Sequence, residues 1–322
     1  MSKVIVSTIM ITYGHETFLK QAIESVLEQE CSFDMELIVA DDNSPDNTQN
    51  IVSQIIKEHP NGSCITYLKR HKNIGMMPNF MDAIKYAKGS YIALCEGDDY
   101  WTDRLKLQKQ VDFMHDNPEY SACFHSVDVI YQDGIEPFLP DINELTPLVT
   151  TIFDILKGNF IHTVSVLFRN SYSYPDWMLR SYPGDWPLHV LNATHGKFRF
   201  IKDSMACYRV HYGGVHSTTK GNVEKSLDTF KNLCDELVKR NCGAEAQIAK
   251  QYYNNAYVTF FAINDDNPNR FNRLEKSLLL LTRGTLKLKL LFWIPLLFGT
   301  SSKNVYNLLM KLNKTYIHGQ KP

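Results

Sequence analysis

The 322-residue chain has no excess of either charge, no apolar run long enough to cross a bilayer, no cysteine pair at CxxC spacing and no GxGxxG stretch after its first apolar segment. Each absence removes a class of function. With 34 Lys and Arg against 35 Asp and Glu, there is no global basic field to attract nucleic acid. The longest uninterrupted apolar run, Leu290 to Phe298, is interrupted as a helix by Pro295 and falls well short of the about 20 residues a spanning helix needs. Seven cysteines form an odd set, which suits reduced thiols in a cytosolic protein better than a disulfide scaffold. No charged-then-apolar leader opens the chain, because Val4 to Ile11 is short and runs straight into a polar cluster. Without a GxGxxG after that segment, a dinucleotide oxidoreductase is disfavoured.

What is present is a globular composition, 44% hydrophobic and 21% charged, which excludes a disordered or fibrous chain and supplies a sizeable core. Val4 to Ile11 is a β-branched apolar run of the kind buried on both faces of a sheet, and Phe18, Ala22, Ile23, Val26 and Leu27 follow at helical spacing. The alternation continues with strands at Glu36 to Ala40, Ile65 to Leu68 and Tyr91 to Cys95. Helices are expected at Asp46 to Glu58, Met77 to Ala87 and about Arg104 to Asn117. This is the pattern of an α/β protein with a parallel sheet flanked by helices. Mixed, strand-like stretches follow at Ser121 to Tyr131, Val164 to Arg169 and Phe198 to Tyr208. Helices are then expected at Val223 to Asn241, Ala246 to Ala262 and Arg270 to Thr282.

Such sheets bind ligands at the carboxyl ends of their strands, and three polar clusters fall there: Thr12-Tyr13-Gly14-His15, Asp41-Asp42-Asn43-Ser44 and Glu96-Gly97-Asp98-Asp99. A carboxylate at Asp41 or Asp42 suits a nucleobase N–H or a ribose hydroxyl, and it equally suits a turn with a helix start near Asp46. Three acids within four residues repel one another unless a cation or hydrogen-bond donors compensate, so the third cluster suits Mg²⁺ or Mn²⁺ holding a diphosphate. A solvated acidic turn is the alternative there.

Taken in order, VSTIMITYGHETFLKQAIESVLEQ, ELIVADDNSPDNT, NIGMMPNFMDAIKYAKGSYIALCEGDDYW, GDWPL and YRVHYGGVHS resemble the family 2 glycosyltransferases of the GT-A fold, over roughly residues 3 to 217. The resemblance implies a GT-A (Rossmann-like), mostly parallel central sheet in a catalytic domain, residues 1–217, with a helical C-terminal region, residues 218–322. It implies an inverting transferase of the hexosyltransferase type that moves a sugar from a nucleotide diphosphate donor, typically a UDP-sugar, with Mn²⁺ or Mg²⁺ as cofactor. Thr12 and Tyr13 match the nucleobase pocket, Asp42, paired with Asp41, the acid that binds the base, and Asp98 the metal-binding acid. Glu96 stands where Asp is usual, which leaves its partner, ribose or metal, open; Gly14 stands where Asn is usual. Asp185 matches the catalytic base and is also a candidate N-cap. His211 is a candidate third metal ligand, and His216 lies in the same closing segment. Asn73 is given a minor nucleotide-binding role, and Trp101 either packs the acidic loop or lines the donor sugar pocket.

By analogy the acceptor is a glycan or lipid-linked hydroxyl in bacterial surface polysaccharide assembly. A nucleotidyltransferase is the main alternative, although such enzymes usually begin with a glycine-rich basic loop that this chain lacks. An inactive nucleotide-sugar-binding relative would be expected to lose Asp98 or Asp185, and both are present. From Leu281 to Pro322 there are seven basic residues and no acid. With Leu, Phe292 and Trp293 between them, this is the composition of an interfacial amphipathic segment or of a hairpin packed on protein. The first reading predicts a cytoplasmic enzyme, peripheral on the inner face of the membrane.

Overall fold

Val6–Thr12 forms β1, an apolar, β-branched strand buried along almost its whole length, as expected of a strand with helices on both faces. The computed structural model that shows it describes residues 4–132, 134–135, 146–214 and 223–258. After β1 come α1 (Leu19–Leu27), β2 (Met35–Asp41), α2 (Thr48–Glu58), β3 (Ile65–Lys69), α3 (Met76–Ala83) and β4 (Tyr91–Leu94). Helix α1 buries Leu19, Ala22, Ile23, Val26 and Leu27, the stripe its spacing predicts. Helix α2 begins two residues later than expected, because the Asp46 carboxylate accepts the Thr48 amide ahead of the first turn.

The second half is less regular: β5 (Tyr100–Trp101), α4 (Lys106–Asp116), β6 (Tyr120–Tyr131), β7 (Val149–Thr150), α5 (Ile152–Leu156), β8 (Leu167–Arg169), α6 (Asp185–Ala193), β9 (Lys197–Val210), α7 (Val223–Lys239) and α8 (Gly243–Val258). β5, β7 and α5 are too short for periodicity to reveal. Helix α6 tolerates Pro187 because it lies in the first turn, where no intrahelical donor is required.

The sheet order is β3-β2-β1-β4-β8-β6-β9-β5, with β7 also on β9. The block β3-β2-β1-β4 is parallel, as the βα alternation requires. Beyond it the sheet is mixed, since β8 runs antiparallel to both β4 and β6, and β9 runs parallel to β6. The chain order reverses between β1 and β4: β2 and β3 extend one way and β4 the other. A crevice at such a reversal, at the carboxyl ends of the strands, is where open α/β sheets take ligands.

Strand β5 pairs antiparallel with β9, Tyr100 opposite Cys207 and Trp101 opposite Ala206. This short ladder ties the acidic loop before β5 to the end of β9. Beneath it Lys106 is fully buried, its ammonium 4.1 Å from the Trp101 ring centroid and 2.7 Å from the Gln110 side-chain oxygen. Burial pushes that amine down to about 7. All seven cysteines are free thiols.

The chain divides into two units after Thr229. In the second, the rest of α7 and α8 follow the expected helices. Residues 259–262, the expected helix at Arg270 to Thr282 and the basic tail lie outside the described residues, as does His216. Among the described residues, no helix is long and apolar enough to cross a membrane.

Candidate functional site

Three loops meet at the β1/β4 reversal, each carried by the end of a strand. Thr12, Tyr13 and His15 leave β1, Asp42 leaves β2, and Glu96 and Asp98 follow β4. The segment from Tyr208 to Gly214 closes the far wall of the cavity, and Asn73, Gly75 and Met76 line its rim. Seven of the site residues expected from sequence therefore share one cavity: Thr12, Tyr13, Asp42, Asn73, Glu96, Asp98 and His211.

The loops are stitched by their own polar groups. Asp42 accepts the backbone amides of Ile74 and Gly75, at 2.7 and 2.8 Å, one on each carboxylate oxygen. Gly75 has φ +94°, a conformation glycine adopts without a Cβ penalty, and it brings both amides onto the carboxylate. The Ser44 hydroxyl accepts the Gly14 amide at 3.1 Å, and the Asp46 carboxylate accepts the Glu16 amide at 2.9 Å. The β1 and β2 loops are thus hydrogen-bonded to each other along the rim.

Charge is concentrated on the acidic loop. Burial, then Asp98 and Asp185, push the Glu96 carboxyl up to about 8. Burial, then Asp98 and Glu96, hold Asp99 well above the usual carboxylate range. For Asp98, burial is the largest influence and acts upward, but the His211 hydrogen bond and the neighbouring imidazoles outweigh it and lower the carboxyl. His211 Nε2 lies 3.0 Å from Asp98 Oδ2, and His15 Nε2 lies 3.8 Å from the same oxygen. Burial keeps His15 below its ordinary range. Arg209 clamps the loop from β9: its amide donates to Asp99 Oδ1 at 2.8 Å, and its guanidinium donates to the Asp98 carbonyl at 2.5 Å while stacking 4.4 Å from the Tyr100 ring centroid.

This donor set fits a divalent cation. Glu96, Asp98 and Asp99 each bring one oxygen within 4.8 Å of the others, and His15, Asp98 and His211 do the same with two ring nitrogens and one oxygen. Asp99 Oδ2 is buried with no hydrogen-bond partner among the described residues. Crowded, buried carboxyl groups are costly without counter-charge, and a bound dication reverses that cost.

Asp185 begins α6 and does not line the cavity, but its charge reaches both Glu96 and Tyr208 on the cavity wall. Its Oδ2 accepts the Asn159 amide group at 2.6 Å, and its Oδ1 accepts the Trp186 backbone amide at 2.8 Å. One turn along α6, His189 is fully buried, and burial pushes it down to about 4. It is therefore a neutral ring behind Asp185.

Two expected residues lie elsewhere. Asp41 is fully buried and absent from the cavity wall, because its Oδ1 accepts the Ser44 amide and its Oδ2 the Tyr67 hydroxyl, both at 2.7 Å. Of the two readings for that pair, the turn describes Asp41. Trp101 is 4% exposed and absent from the cavity. Its indole N–H donates to the Val164 carbonyl at 3.1 Å, so it packs beneath the acidic loop and not on the cavity wall. Two further residues have a place here that the sequence does not spell out: His15 is marked only as a member of its post-strand polar cluster, and Asn159 has no local mark at all.

The pattern of the family described as Glycosyl transferase family 2 matches residues 7–170. Uncharacterized protein Rv1520 of Mycobacterium tuberculosis is 39% identical over 227 residues, 69% of this chain. The match spans 64% of that relative's own length, less than two thirds. The Escherichia coli protein WfaP, a UDP-Glc:alpha-D-GlcNAc-diphosphoundecaprenol beta-1,3-glucosyltransferase, is 31% identical over 71% of this chain and 86% of its own. In structure, S. aureus TarS 1-349 in complex with UDP-GlcNAc superposes with a TM-score of 0.64, covering 90% of this chain and 86% of that one at 16% identity. That likeness is one of fold.

Proposed function

Because the chain belongs to glycosyl transferase family 2, we propose that it is an inverting hexosyltransferase. It moves a sugar from a nucleotide diphosphate donor, a UDP-sugar, to a hydroxyl of a glycan or lipid-linked acceptor in surface polysaccharide assembly. The observation that carries this reading is the convergence of Tyr13, Asp42, Glu96 and Asp98 on one cavity at the β1/β4 reversal. WfaP, whose name specifies a UDP-sugar donor and a diphosphoundecaprenol-linked acceptor, supports the donor and acceptor classes. The UDP-GlcNAc complex of TarS supports the donor.

In this reading Thr12 and Tyr13 face the base with Asp42, while Asn73 borders the nucleotide. Asp185 takes the proton of the acceptor hydroxyl as its oxygen attacks the anomeric carbon opposite the departing diphosphate. In-line attack inverts that centre, so an α-linked donor yields a β-linked product. Asp98 and His211, with Glu96 nearby, would hold Mn²⁺ or Mg²⁺. When bound, that ion neutralises charge developing on the diphosphate. Asn159 and the Trp186 amide keep the Asp185 carboxylate in one orientation.

The test is a panel of nucleotide sugars with Mn²⁺, scoring the nucleotide released in the presence of acceptor. Nucleoside diphosphate is expected; pyrophosphate would favour a nucleotidyltransferase, and donor binding without turnover would favour an inactive nucleotide-sugar-binding relative.

Asp42→Ala is expected to raise donor KM by about tenfold or more while kcat changes little, because it removes a nucleobase contact present equally in ground and transition states. It also leaves the Ile74 and Gly75 amides without their acceptor, so the rim loosens with the base contact. Steady-state kinetics check this, and a large kcat loss at saturating donor would assign Asp42 another task.

The basic tail completes the proposal as a peripheral contact at the cytoplasmic face, close to a lipid-linked acceptor. Deleting residues 284–322 should abolish salt-sensitive cosedimentation with anionic vesicles and spare donor hydrolysis. Unchanged sedimentation would exclude the anchor.

A further inference from the structure

Three buried polar atoms on α6 have no hydrogen-bond partner among the described residues: both ring nitrogens of His189 and the side-chain nitrogen of Asn192. Each of these two residues is 0% exposed. Asp185, His189 and Asn192 stand at i, i+4 and i+7 of the helix, a spacing that places them on one stripe with successive Cβ atoms about 5–6 Å apart. Trp186 to Ala193 are all buried, so the stripe runs from Asp185 into the protein and not along its surface.

Its inner end is fixed. The Tyr174 hydroxyl donates to Asn192 Oδ1 at 2.7 Å, and the His189 ring meets Phe198 of β9 edge-on, with centroids 6.3 Å apart. A core histidine ordinarily uses at least one nitrogen, as His125 does with the Ser126 carbonyl at 2.7 Å. A neutral imidazole offers one donor and one acceptor, and leaving both unmet in the interior is costly. The charged group that acts on His189 is Asp185, although burial outweighs it and keeps the ring neutral. Asp185 has capacity to spare: each of its oxygens accepts one hydrogen bond, from the Asn159 amide group and the Trp186 backbone amide, whereas a carboxylate can accept about four.

We propose that His189 is a positioning residue for Asp185: a buried water shared with the Asn192 amide joins the imidazole to the rear of the carboxylate and holds it in the orientation that takes the acceptor proton. The inference rests on the reading of Asp185 as the base. A water bridge suits the spacing, because buried waters bond to several polar groups that lack partners of their own. The imidazole suits the chemistry. As the acceptor O–H bond breaks, its proton passes to Asp185 while the oxygen forms the new bond to the anomeric carbon and the diphosphate leaves with the electron pair of the broken one. The carboxylate wants a donor behind it before this step, and the carboxylic acid tolerates an acceptor after it. A neutral imidazole supplies either at one nitrogen by exchanging tautomers. Since burial holds the ring neutral, it does not compete with Asp185 for the proton.

The test is a double-mutant cycle on the full chain, reading release of UDP from UDP-glucose or UDP-GlcNAc with Mn²⁺ and water as the attacking hydroxyl. His189→Leu should lower kcat by about tenfold or more with donor KM near the wild-type value, and His189→Gln or His189→Asn, each of which keeps a hydrogen-bonding amide, should restore it to within about threefold. In the Asp185→Asn background the leucine should change turnover by less than about threefold, because the group it serves is already gone. Equal loss in both backgrounds, a raised donor KM, or no rescue by either amide marks His189 as a packing residue and overturns the proposal. Should the leucine variant fail to fold, ring-¹⁵N-labelled protein decides: Asp185→Asn should move the ring signals of one histidine that stays neutral in mild acid, and no movement overturns the link. The two readings fail differently. Turnover that depends on Asp185 and not on His189 removes this inference alone, whereas full turnover of Asp185→Asn removes Asp185 as the base, and no turnover of any nucleotide sugar by the wild type removes the glycosyltransferase reading.

Discussion

Asp185→Asn is expected to cut turnover by about 10² or more while donor affinity stays near that of the wild type. Asparagine keeps the shape and polarity of the side chain but cannot take a proton from an attacking hydroxyl. The surroundings make the substitution a controlled one. Oδ1 accepts the Trp186 amide and Oδ2 the Asn159 amide group, and both partners are donors. The new amide can offer an oxygen to only one of them, so its NH₂ must face the other, which adds a small loss of orientation to the loss of basicity. Donor binding should be spared because Asp185 is absent from the cavity wall that carries Tyr13 and Asp42. Calorimetry with the donor, set beside single-turnover rates with acceptor, separates the two effects. Gly184, not Asp185, is the N-cap of α6, so parallel loss of binding and turnover would mark Asp185 as a structural residue of the first helical turn and nothing more.

The second large effect is at Asp98. Asp98→Asn should lower transfer by about tenfold to a hundredfold, because its carboxylate is the one both imidazoles face. Full activity of the variant in excess chelator would remove the metal from the mechanism. The same substitution has a signature that requires no substrate. Glu96 is held up at about 8 against an ordinary 4.5, by burial first and by Asp98 next. The folded, metal-free chain therefore keeps a proton there that the unfolded chain loses, and stability should fall as pH rises between those values. With the Asp98 charge removed, the Glu96 pKa moves back toward its ordinary value and the decline should be shallower in thermal melts recorded in chelator. An unchanged slope would mean that burial alone sets the Glu96 proton.

Much of the architecture was legible locally. The β-branched run at Val6–Thr12, the buried stripe of α1 and the alternation through β4 follow from side-chain period and backbone preference within a few residues, so strand–helix order could be read directly. The rule that ligands gather at strand carboxyl ends then singled out the clusters at Thr12, Asp42 and Glu96, and all three line one cavity. Identity at a position did not settle its task, however. Asp41 and Asp42 are chemically alike neighbours, yet one is turned into the sheet toward Tyr67 and the other outward to the Ile74 and Gly75 amides. At the end of a strand, successive side chains point to opposite sides.

What the amino-acid sequence determined by itself was the set of elements and the chemistry each loop offers. Tertiary structure alone decided which of those offers meet. His15 and His211 are separated by most of the catalytic fold in sequence, and they converge on Asp98 because β1 pairs with β4, which sets the His15 loop beside the acidic loop, and β5 pairs with β9, which draws that loop against the end of β9. Asn159 reaches Asp185 across 26 residues, and Trp101 is drawn into the core by a carbonyl 63 residues away. Such contacts depend on strand order and on antiparallel insertions whose pairing energy is spread over distant segments, so no local period or composition announces them.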